Sequence, residues 1–338
     1  MNILNSDNLK QYLLIGLIIV LALVVGSQLY SFFPGLLAAI TLYILMRQYY
    51  FHLTVVKNHK KWLIALLFIL SAILVFIVPF VLLIQVLAPR FTDFIATGQM
   101  GAIVTTLGQK IQVLLPQVHV NDEHIMNLVQ KVTSSAPGVL GVTANILANA
   151  VLAFFLLYFM LVDGRKMEYA ILRYLPLKES NVDDIWQSTK TVVVASAIGI
   201  PILAMFQAIT AIVGYYLFGV ESYILWGIMT GICSLIPVVG TAAIWIPLCV
   251  YLIAIGHVPQ GIGLIAYSVL ITGTVDNVLR FTLLRRLGDV HPVVTTLGII
   301  IGIPLFGFMG LIFGPLLISY LLLLVKIYKI EFSPTANQ

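Results

Sequence analysis

A cluster of polar residues interrupts an apolar run of the chain between residues 262 and 284. Asp276, Asn277 and Arg280 lie in it, and the four-residue spacing of Asp276 and Arg280 places both on one helix face. A charge that faces lipid costs at least about 2.5 kcal/mol, so these groups should face protein or water. The carboxyl could carry a proton or couple an ion, while Asn277 and Arg280 could hold a polar or anionic substrate. The alternative is a structural ion pair near the membrane surface, with Arg280 reaching toward the headgroups.

The composition is that of a polytopic membrane protein. Of the 338 residues, 61% are hydrophobic and 9% are charged, against roughly 25% charged residues in soluble domains. The net charge of +5 comes mostly from loops on one side of the predicted topology, so it reports orientation and not nucleic-acid binding. Cys233 and Cys249 both lie in apolar runs and form neither a metal spacing nor a disulfide framework. The predicted partners are the lipid bilayer and a small-molecule or ion substrate, with no nucleic acid.

Two apolar double segments flank the Asp276 helix, and each is interrupted by the same short string. The strings are Ile-Pro-Val-Val-Gly at 236–240 and Ile-Pro-Leu-Phe-Gly at 303–307. Proline removes a backbone donor and glycine adopts conformations that other residues avoid, so each string should break its helix. We therefore predict two helical hairpins, whose tips lie at Pro237, Gly240, Pro304 and Gly307.

The arms that lead into these tips, 222–236 and 290–303, are short against the roughly 20 residues that a helix needs to cross a bilayer. This short length favours segments that enter the bilayer part way and turn back, next to protein or a watery cavity. Two such interrupted segments in corresponding positions point to a transporter binding site built from repeats. The alternative is a chance match between the strings, with each segment an ordinary kinked helix.

The remaining apolar runs predict six crossing helices, at 12–33, 34–46, 62–88, 139–162, 192–218 and 262–284. The loop after the second run carries Arg47, Lys57, Lys60 and Lys61 with no acid, so the positive-inside rule makes it cytoplasmic, together with both termini. One hairpin then enters from outside and the other from inside. The predicted fold class is an all-α polytopic membrane protein, with about six transmembrane helices plus two hairpins, and an inverted repeat is compatible with it.

The chain is predicted to form a single transporter domain, 1–338, with three notable segments. They are an extracytoplasmic amphipathic helical insertion at 89–137, a cytoplasmic connecting segment at 163–190 and the hairpin region at 221–325. His119, Asp122, Glu123 and His124 in the insertion lack a metal-ligand spacing, which favours a solvated, capped helix start. No metal and no cofactor is predicted.

Secondary candidates for the path are Gln207 and His291. Gln207 and Thr210 could line a pathway, but hydrogen bonds between helices are favoured for both. His291 precedes the second hairpin, where an anchoring role is favoured over a proton relay. Glycines four residues apart allow close helix contact and are compatible with a homo-oligomer; the pairs are Gly227 and Gly231, Gly298 and Gly302, and Gly310 and Gly314.

The sequence contains no phosphate-binding GxxxxGK[ST] loop, no GxSxG elbow and no zinc-protease motif. An enzyme is therefore not predicted. A transporter with this sequence would have to be driven by an ion gradient or by the gradient of its own substrate.

Several motifs, taken in order, resemble the autoinducer-2 exporter family of bacterial inner-membrane permeases over nearly the whole chain. They are Phe159–Gly164 with Leu175-Pro176, Leu235–Gly240 with Pro247, Asp276–Arg280, His291-Pro292, and Gly307, Gly310 and Gly314-Pro315. Many members have a proline after the Leu-Arg pair where this chain has Phe281, so the helix here should continue to Leu287. The resemblance implies export of small molecules, autoinducer-2 in some members and sodium/proton exchange in others.

The prediction from these observations is a secondary transporter of the bacterial inner membrane, with its substrate path between the hairpin tips and the Asp276 helix. Movement of the hairpins against the surrounding helices would give alternating access. One alternative is a cation/proton antiporter. A second is a membrane scaffold or regulator that transports nothing and binds a partner through residues 89–137.

Overall fold

A computed structural model of the protein describes residues 6–79, 81–82, 84–85, 89, 138–174, 179–236, 240–288 and 292–332. Helices joined by short connections make up these ranges, which contain no strand. Five helical stretches in them are long and apolar enough to cross a membrane: Lys10–Tyr30, Asn145–Val162, Val182–Leu217, Val258–Leu279 and Val293–Val325. The predicted class, an all-α polytopic membrane protein, is confirmed.

The helices of the first half are α1 (Ser6–Tyr30), α2 (Phe33–Phe51), α3 (Lys61–Ala72), α4 (Gly138–Val162), α5 (Gly164–Tyr174) and α6 (Glu179–Leu217). Those of the second half are α7 (Tyr223–Cys233), α8 (Ala242–Ala254), α9 (Val258–Tyr267), α10 (Gly273–Gly288), α11 (Pro292–Phe306) and α12 (Gly310–Phe332). Short π-helical turns follow α2, α3 and α9, at His52–Val56, Ile73–Ile77 and Ser268–Thr272. A single 3-10 turn, Gly307–Met309, joins α11 to α12.

α6 is the helix on which much of the molecule packs. Helices α2, α7, α9, α10 and α12 all contact it, because apolar residues occur on every side of it from Val192 onward, with few polar residues such as Gln207 among them. Its first half shares a hydrophobic cluster with α2 and α12, built around Val193, Leu37 and Leu316. Its second half shares another with α8 and α9, built around Tyr215 and Leu264.

Hairpin 1 consists of α7 and α8, joined by residues 234–241, of which 237–239 are not described. Gly240 is buried in this turn, and a Cβ there would lie 2.9 Å from the Cα of Ser234. Because that separation is below any normal carbon contact, the turn has room only for glycine at position 240.

Hairpin 2 consists of α11 and α12, which pack backbone against backbone. A Cβ on Gly302 would lie 2.7 Å from the Cα of Gly314, and one on Gly298 would lie 2.6 Å from the carbonyl carbon of Gly314. The chain reverses at Gly307, whose φ of 59° lies in the left-handed region that favours glycine. The apolar stretch Val293–Val325 is therefore folded in two and is not one straight helix.

The second string does not reverse the chain at its proline. Pro304 lies inside α11, which continues to Phe306, whereas α7 ends at Cys233, three residues ahead of Ile236 in the first string. The loss of one backbone hydrogen bond at Pro304 does not end the helix, since the close glycine contacts with α12 hold it. The first string therefore begins after its helix has ended, whereas the proline of the second string lies inside a helix, ahead of the turn.

The turn between α1 and α2 is fixed by polar contacts and lies beside the tip of hairpin 2. Asn149 on α4 accepts a hydrogen bond from the backbone N–H of Gly35 at 2.8 Å and donates one to the carbonyl of Ser31 at 3.1 Å. The hydroxyl of Tyr30 donates to the carbonyl of Leu305 at 3.1 Å, and the rings of Phe33 and Phe306 lie 5.7 Å apart. α1 is otherwise exposed along its described length.

Two predicted segments are described only in part. Of the run 62–88, the structure describes α3 and the π-helical turn Ile73–Ile77, followed by scattered helical residues. The predicted insertion 89–137 lies outside the described residues, apart from Pro89. The segment 163–190 contains α5 and the charged first turns of α6.

Candidate functional site

The tip of hairpin 2 reaches the middle of α6 from the N-terminal end of that helix. The hydroxyls of Thr189 on α6 and Tyr320 on α12 form a hydrogen bond, and the two helices run antiparallel from that point. Ile200 lies eleven residues after Thr189 in α6, and Met309 lies eleven residues before Tyr320 in α12. Both pack against the hydrophobic cluster shared by α2, α6 and α12. By this register the turn Gly307–Met309 lies at the level of Ile200 and Pro201 along α6, while the turn itself packs on α2.

Hairpin 1 reaches the same part of α6 from the other end. α7 packs closely on α6 because a Cβ on Gly231 would lie 2.6 Å from the carbonyl oxygen of Ala204. The turn of hairpin 1 begins at Ser234, about one helical turn beyond that contact. Both hairpins thus turn within a turn or two of the level of Pro201 along α6.

The helix that carries Asp276 runs antiparallel to α6 in a register set by two hydrogen bonds. The hydroxyl of Tyr267 donates to the carbonyl of Thr210 at 3.0 Å, and Nε2 of Gln207 donates to the carbonyl of Thr272 at 3.4 Å. Asp276 lies one turn beyond Thr272, so it stands opposite residue 203 of α6. The turn of α10 that carries Asp276 therefore lies at the same level along α6 as both hairpin tips.

Pro201 lies at the centre of this region and was not singled out from the sequence. A proline inside a helix donates no backbone hydrogen bond, so the carbonyl of Ala197 lacks its usual partner. Freed backbone groups at membrane depth occur where protein or a watery cavity can satisfy them. A proline in the middle of the apolar run 192–218 was the available signal.

The predicted site residues around Asp276 are not all placed alike. Asp276 is half-buried in the first turn of α10, whereas Asn277 is exposed and its Nδ2 donates to the carbonyl of Gly273 in the same helix at 3.0 Å. The side chain of Arg280 lies outside the described residues, as do Pro237 and His291. α10 continues past Phe281 to Gly288, as the missing proline predicted.

Gln207 is fully buried between α6 and the π-helical turn Ser268–Thr272. Its relative exposure is 0%, and its Oε1 has no hydrogen-bond partner among the described residues. Thr210 instead bonds to the carbonyl of Phe206 in its own helix at 2.8 Å. The π-helical turn, invisible in the sequence, lies directly before the Asp276 turn, and such turns are frequent at functional sites.

A second polar cluster joins α2, α5 and α6 at the end of the bundle that the sequence predicts to be cytoplasmic. Arg47 forms a two-point ion pair with Glu168, with Nη2 and Oε2 2.7 Å apart, and the hydroxyl of Tyr43 donates to Oε1 of Glu168 at 2.7 Å. The guanidinium carbon of Arg47 also lies 5.3 Å from the ring centre of Trp186. Burial acts to raise the pKa of Glu168, but the hydrogen bonds from Arg47 and Tyr43 outweigh it and the net pKa is lowered.

The glycine pairs noted in the sequence form contacts between helices of the same chain. Gly227 and Gly231 face α6, and the four glycines of hairpin 2 face one another. These pairs therefore supply no argument for a homo-oligomer, which stays a prediction.

Comparison with known proteins supports the resemblance to the autoinducer-2 exporter family. A family model described as "AI-2E family transporter" matches residues 13–330. The chain is 30% identical over 173 residues to a "Putative transport protein" of Aquifex aeolicus, covering 51% of this chain and 49% of that protein. It is 29% identical over 202 residues to a protein of the same name from Helicobacter pylori strain J99, covering 55% of each. The matches thus span about half the length of these curated relatives.

Proposed function

Since the chain belongs to the AI-2E family of transporters, we propose that it is a secondary transporter that exports a small polar molecule across the bacterial inner membrane, with autoinducer-2 as the first candidate substrate. The observation that carries the proposal is the register of the packed helices, which brings both hairpin turns and the Asp276 turn to one level near the middle of α6. Interrupted helices that meet in this way form the binding sites of many secondary transporters. Both termini are cytoplasmic in this proposal.

The contacts around α6 suggest how such a site would open to each side in turn. Hairpin 2 packs on the first half of α6 and hairpin 1 on the second half, so each hairpin covers the central region from one end. Movement of one hairpin at a time would expose the Asp276 turn to one side of the membrane. In this mechanism Asp276 couples an ion or a proton, while Asn277 and Arg280 bind the substrate.

The test is transport by purified protein in liposomes, with autoinducer-2 flux and internal pH read together, with and without a sodium gradient. Asp276→Asn keeps the shape of the side chain and removes its charge, so flux should fall at least tenfold. Ser71→Ala is the matched control, because the hydroxyl of Ser71 bonds to the carbonyl of Phe68 within its own exposed helix turn, and this variant should transport normally. Full flux in Asp276→Asn would refute the assigned role of the carboxyl.

A cation/proton antiporter is the second candidate, favoured by the half-buried carboxyl of Asp276 in the first turn of α10. It predicts sodium-dependent pH change without autoinducer-2 flux, lost in Asp276→Asn. A protein silent in both measurements would instead fit a scaffold or regulator, whose effect in cells should depend on residues 89–137.

A further inference from the structure

Arg165, at the start of α5, holds a positive charge for which the described chain supplies no counter-ion. Its guanidinium carbon lies over the ring of Phe51, 5.2 Å from the ring centre. Contact of this kind occupies the face of the guanidinium and leaves the N–H donors at its edge. Within the described ranges Arg165 forms no ion pair, and the neighbouring acid, Asp163, pairs instead with Lys166 at 3.0 Å. The ordered edge of this guanidinium suits an oxyanion.

Arg47 shows the same arrangement with its anion in place. Its guanidinium carbon lies 5.3 Å from the centre of the same Phe51 ring, and its Nε and Nη2 both donate to the carboxylate of Glu168. Glu168 is the only acid in the sequence of α5, so the carboxylate of this helix is already engaged. The exposed Arg165 therefore lacks the partner that Arg47 has, and an anion from outside the chain would complete it.

Further positive charge lies beside Arg165. The connection between α2 and α3 carries three exposed lysines: Lys57, Lys60 and Lys61. The hydroxyl of Tyr50 donates to the carbonyl of Lys61 at 3.2 Å, and the ring of Tyr50 lies 5.6 Å from the ring that Arg165 covers. These contacts hold the connection next to Arg165. In the part of the chain that the structure describes, Asp183 and Asp184 of α6 form no ion pair with any of these four cations.

The level of Arg165 along the bundle favours a lipid headgroup as the source of the anion. α4 contains a stretch long and apolar enough to cross a membrane, which ends at Val162. Arg165 follows three residues later, about 5 Å along a helix, which is the level of the polar headgroups. A soluble anion would have no reason to bind at this level.

Apolar surface for acyl chains begins directly below this level. α3 and α4 pack on each other beneath Phe51, and each exposes apolar side chains at helical spacing: Leu63, Leu67 and Leu70 in α3, and Val151, Phe155 and Phe159 in α4. A phospholipid requires a cation for its phosphate and apolar surface for its chains. The α3–α4 pair offers both at one end.

We propose that Arg165, with the three lysines of the α2–α3 connection around it, binds the phosphate of an anionic phospholipid whose acyl chains lie along α3 and α4. The class of lipid is one with a net negative headgroup, such as phosphatidylglycerol or cardiolipin, because basic pockets at membrane helix ends select such headgroups. The bound lipid would link α5 to the start of α3. This interaction goes beyond the proposed function and does not depend on the transported substrate.

Thermal unfolding of the purified protein in a neutral detergent tests the site. Intrinsic fluorescence follows unfolding as dioleoylphosphatidylglycerol is added, with dioleoylphosphatidylcholine and inorganic phosphate as comparison additives. Wild type should show a saturating rise in Tm with phosphatidylglycerol and no comparable rise with the other two. Arg165→Gln should need roughly tenfold more phosphatidylglycerol for the same rise, because it loses the charge that strengthens the hydrogen bonds to phosphate.

Lys329→Gln is the matched control. It removes one exposed positive charge near the end of α12, on the side of the membrane predicted to be cytoplasmic, and should respond to phosphatidylglycerol like wild type. Native mass spectrometry provides a second measurement that does not depend on stability. From an equimolar mixture of the two lipids, wild type should retain phosphatidylglycerol in preference, and Arg165→Gln should lose this preference.

Three results would overturn the inference. They are an equal rise in Tm with phosphatidylcholine, an undiminished response in Arg165→Gln, and equal losses in Arg165→Gln and Lys329→Gln, which would leave only general charge attraction. An equal rise with inorganic phosphate would also overturn it and would assign Arg165 to a soluble anion. Because neither measurement involves transport, a failure here leaves the proposed function standing.

Discussion

Replacement of Gly302 by alanine should push the arms of hairpin 2 apart. The added Cβ would lie 2.7 Å from the Cα of Gly314, whereas non-bonded carbons approach to about 3.5 Å. The arms must therefore separate by roughly 0.8 Å, against backbone that has no flexible end to move. Overpacking of this kind costs about 1–3 kcal/mol, and the better helix propensity of alanine returns at most about 1 kcal/mol. The net expectation is a loss on the order of 1–2 kcal/mol.

Thermal unfolding in detergent measures this effect, and the Tm of Gly302→Ala should fall by roughly 2–6 °C. Gly26→Ala is the matched control, because a Cβ at Gly26 in α1 would have nothing within 4 Å. That variant should unfold at or slightly above the wild-type Tm, since only the propensity gain applies. A Gly302→Ala protein as stable as Gly26→Ala would show that α11 and α12 are not held in this close contact.

Two further predictions concern the polar contacts that fix the remaining helices. Asn149→Ala removes the acceptor for the N–H of Gly35 and should lower the Tm by about 2–6 °C, at a cost of about 1–2 kcal/mol. No change in Tm would show that this contact does not stabilise the α1–α2 turn. Glu168→Gln breaks the pair with Arg47 and should cost about 1 kcal/mol at pH 7 after allowance for partial exposure. The pKa of Glu168 is lowered in the folded protein, so its contribution to stability is complete above the ordinary pKa of 4.5 and is lost as the pH falls through the lowered value. The difference in Tm between Glu168→Gln and wild type should therefore close only in that acidic range. A gap that stays the same at every pH would contradict this assignment.

Much of the second half of the fold was accessible from the sequence. Proline and glycine in long apolar runs predicted both hairpins, and the leading arms predicted at 222–236 and 290–303 match α7 and α11 to within three residues, since few positions in such runs can reverse the chain. The extension of α10 through Phe281 followed from the absence of a proline there. Covalent and local backbone chemistry governs these features, and the sequence displays it directly.

Features that depend on distant contacts were not accessible. Pro304 remains helical because Gly302 meets Gly310 and Gly314 on the facing arm, which a local rule for proline does not include. Arg47 and Glu168 are separated by 121 positions in the chain, and no spacing rule connects them. The π-helical turn before Asp276 depends on one inserted residue among ordinary apolar ones, and the unsatisfied oxygen of Gln207 appears only once α6 and that turn are packed together.

The contacts of the α1–α2 turn have a consequence for depth in the bilayer. The helix between Phe33 and Arg47, at the polar end of α2, is about 21 Å long, whereas the hydrocarbon core of a bilayer is about 30 Å thick. With Arg47 at one surface, this turn and the adjacent tip of hairpin 2 stop about 9 Å short of the other. Backbone groups that face lipid at that depth have no water to bond, so they need partners from the protein. Asn149 and Tyr30 provide them, and they allow the chain to turn inside the membrane.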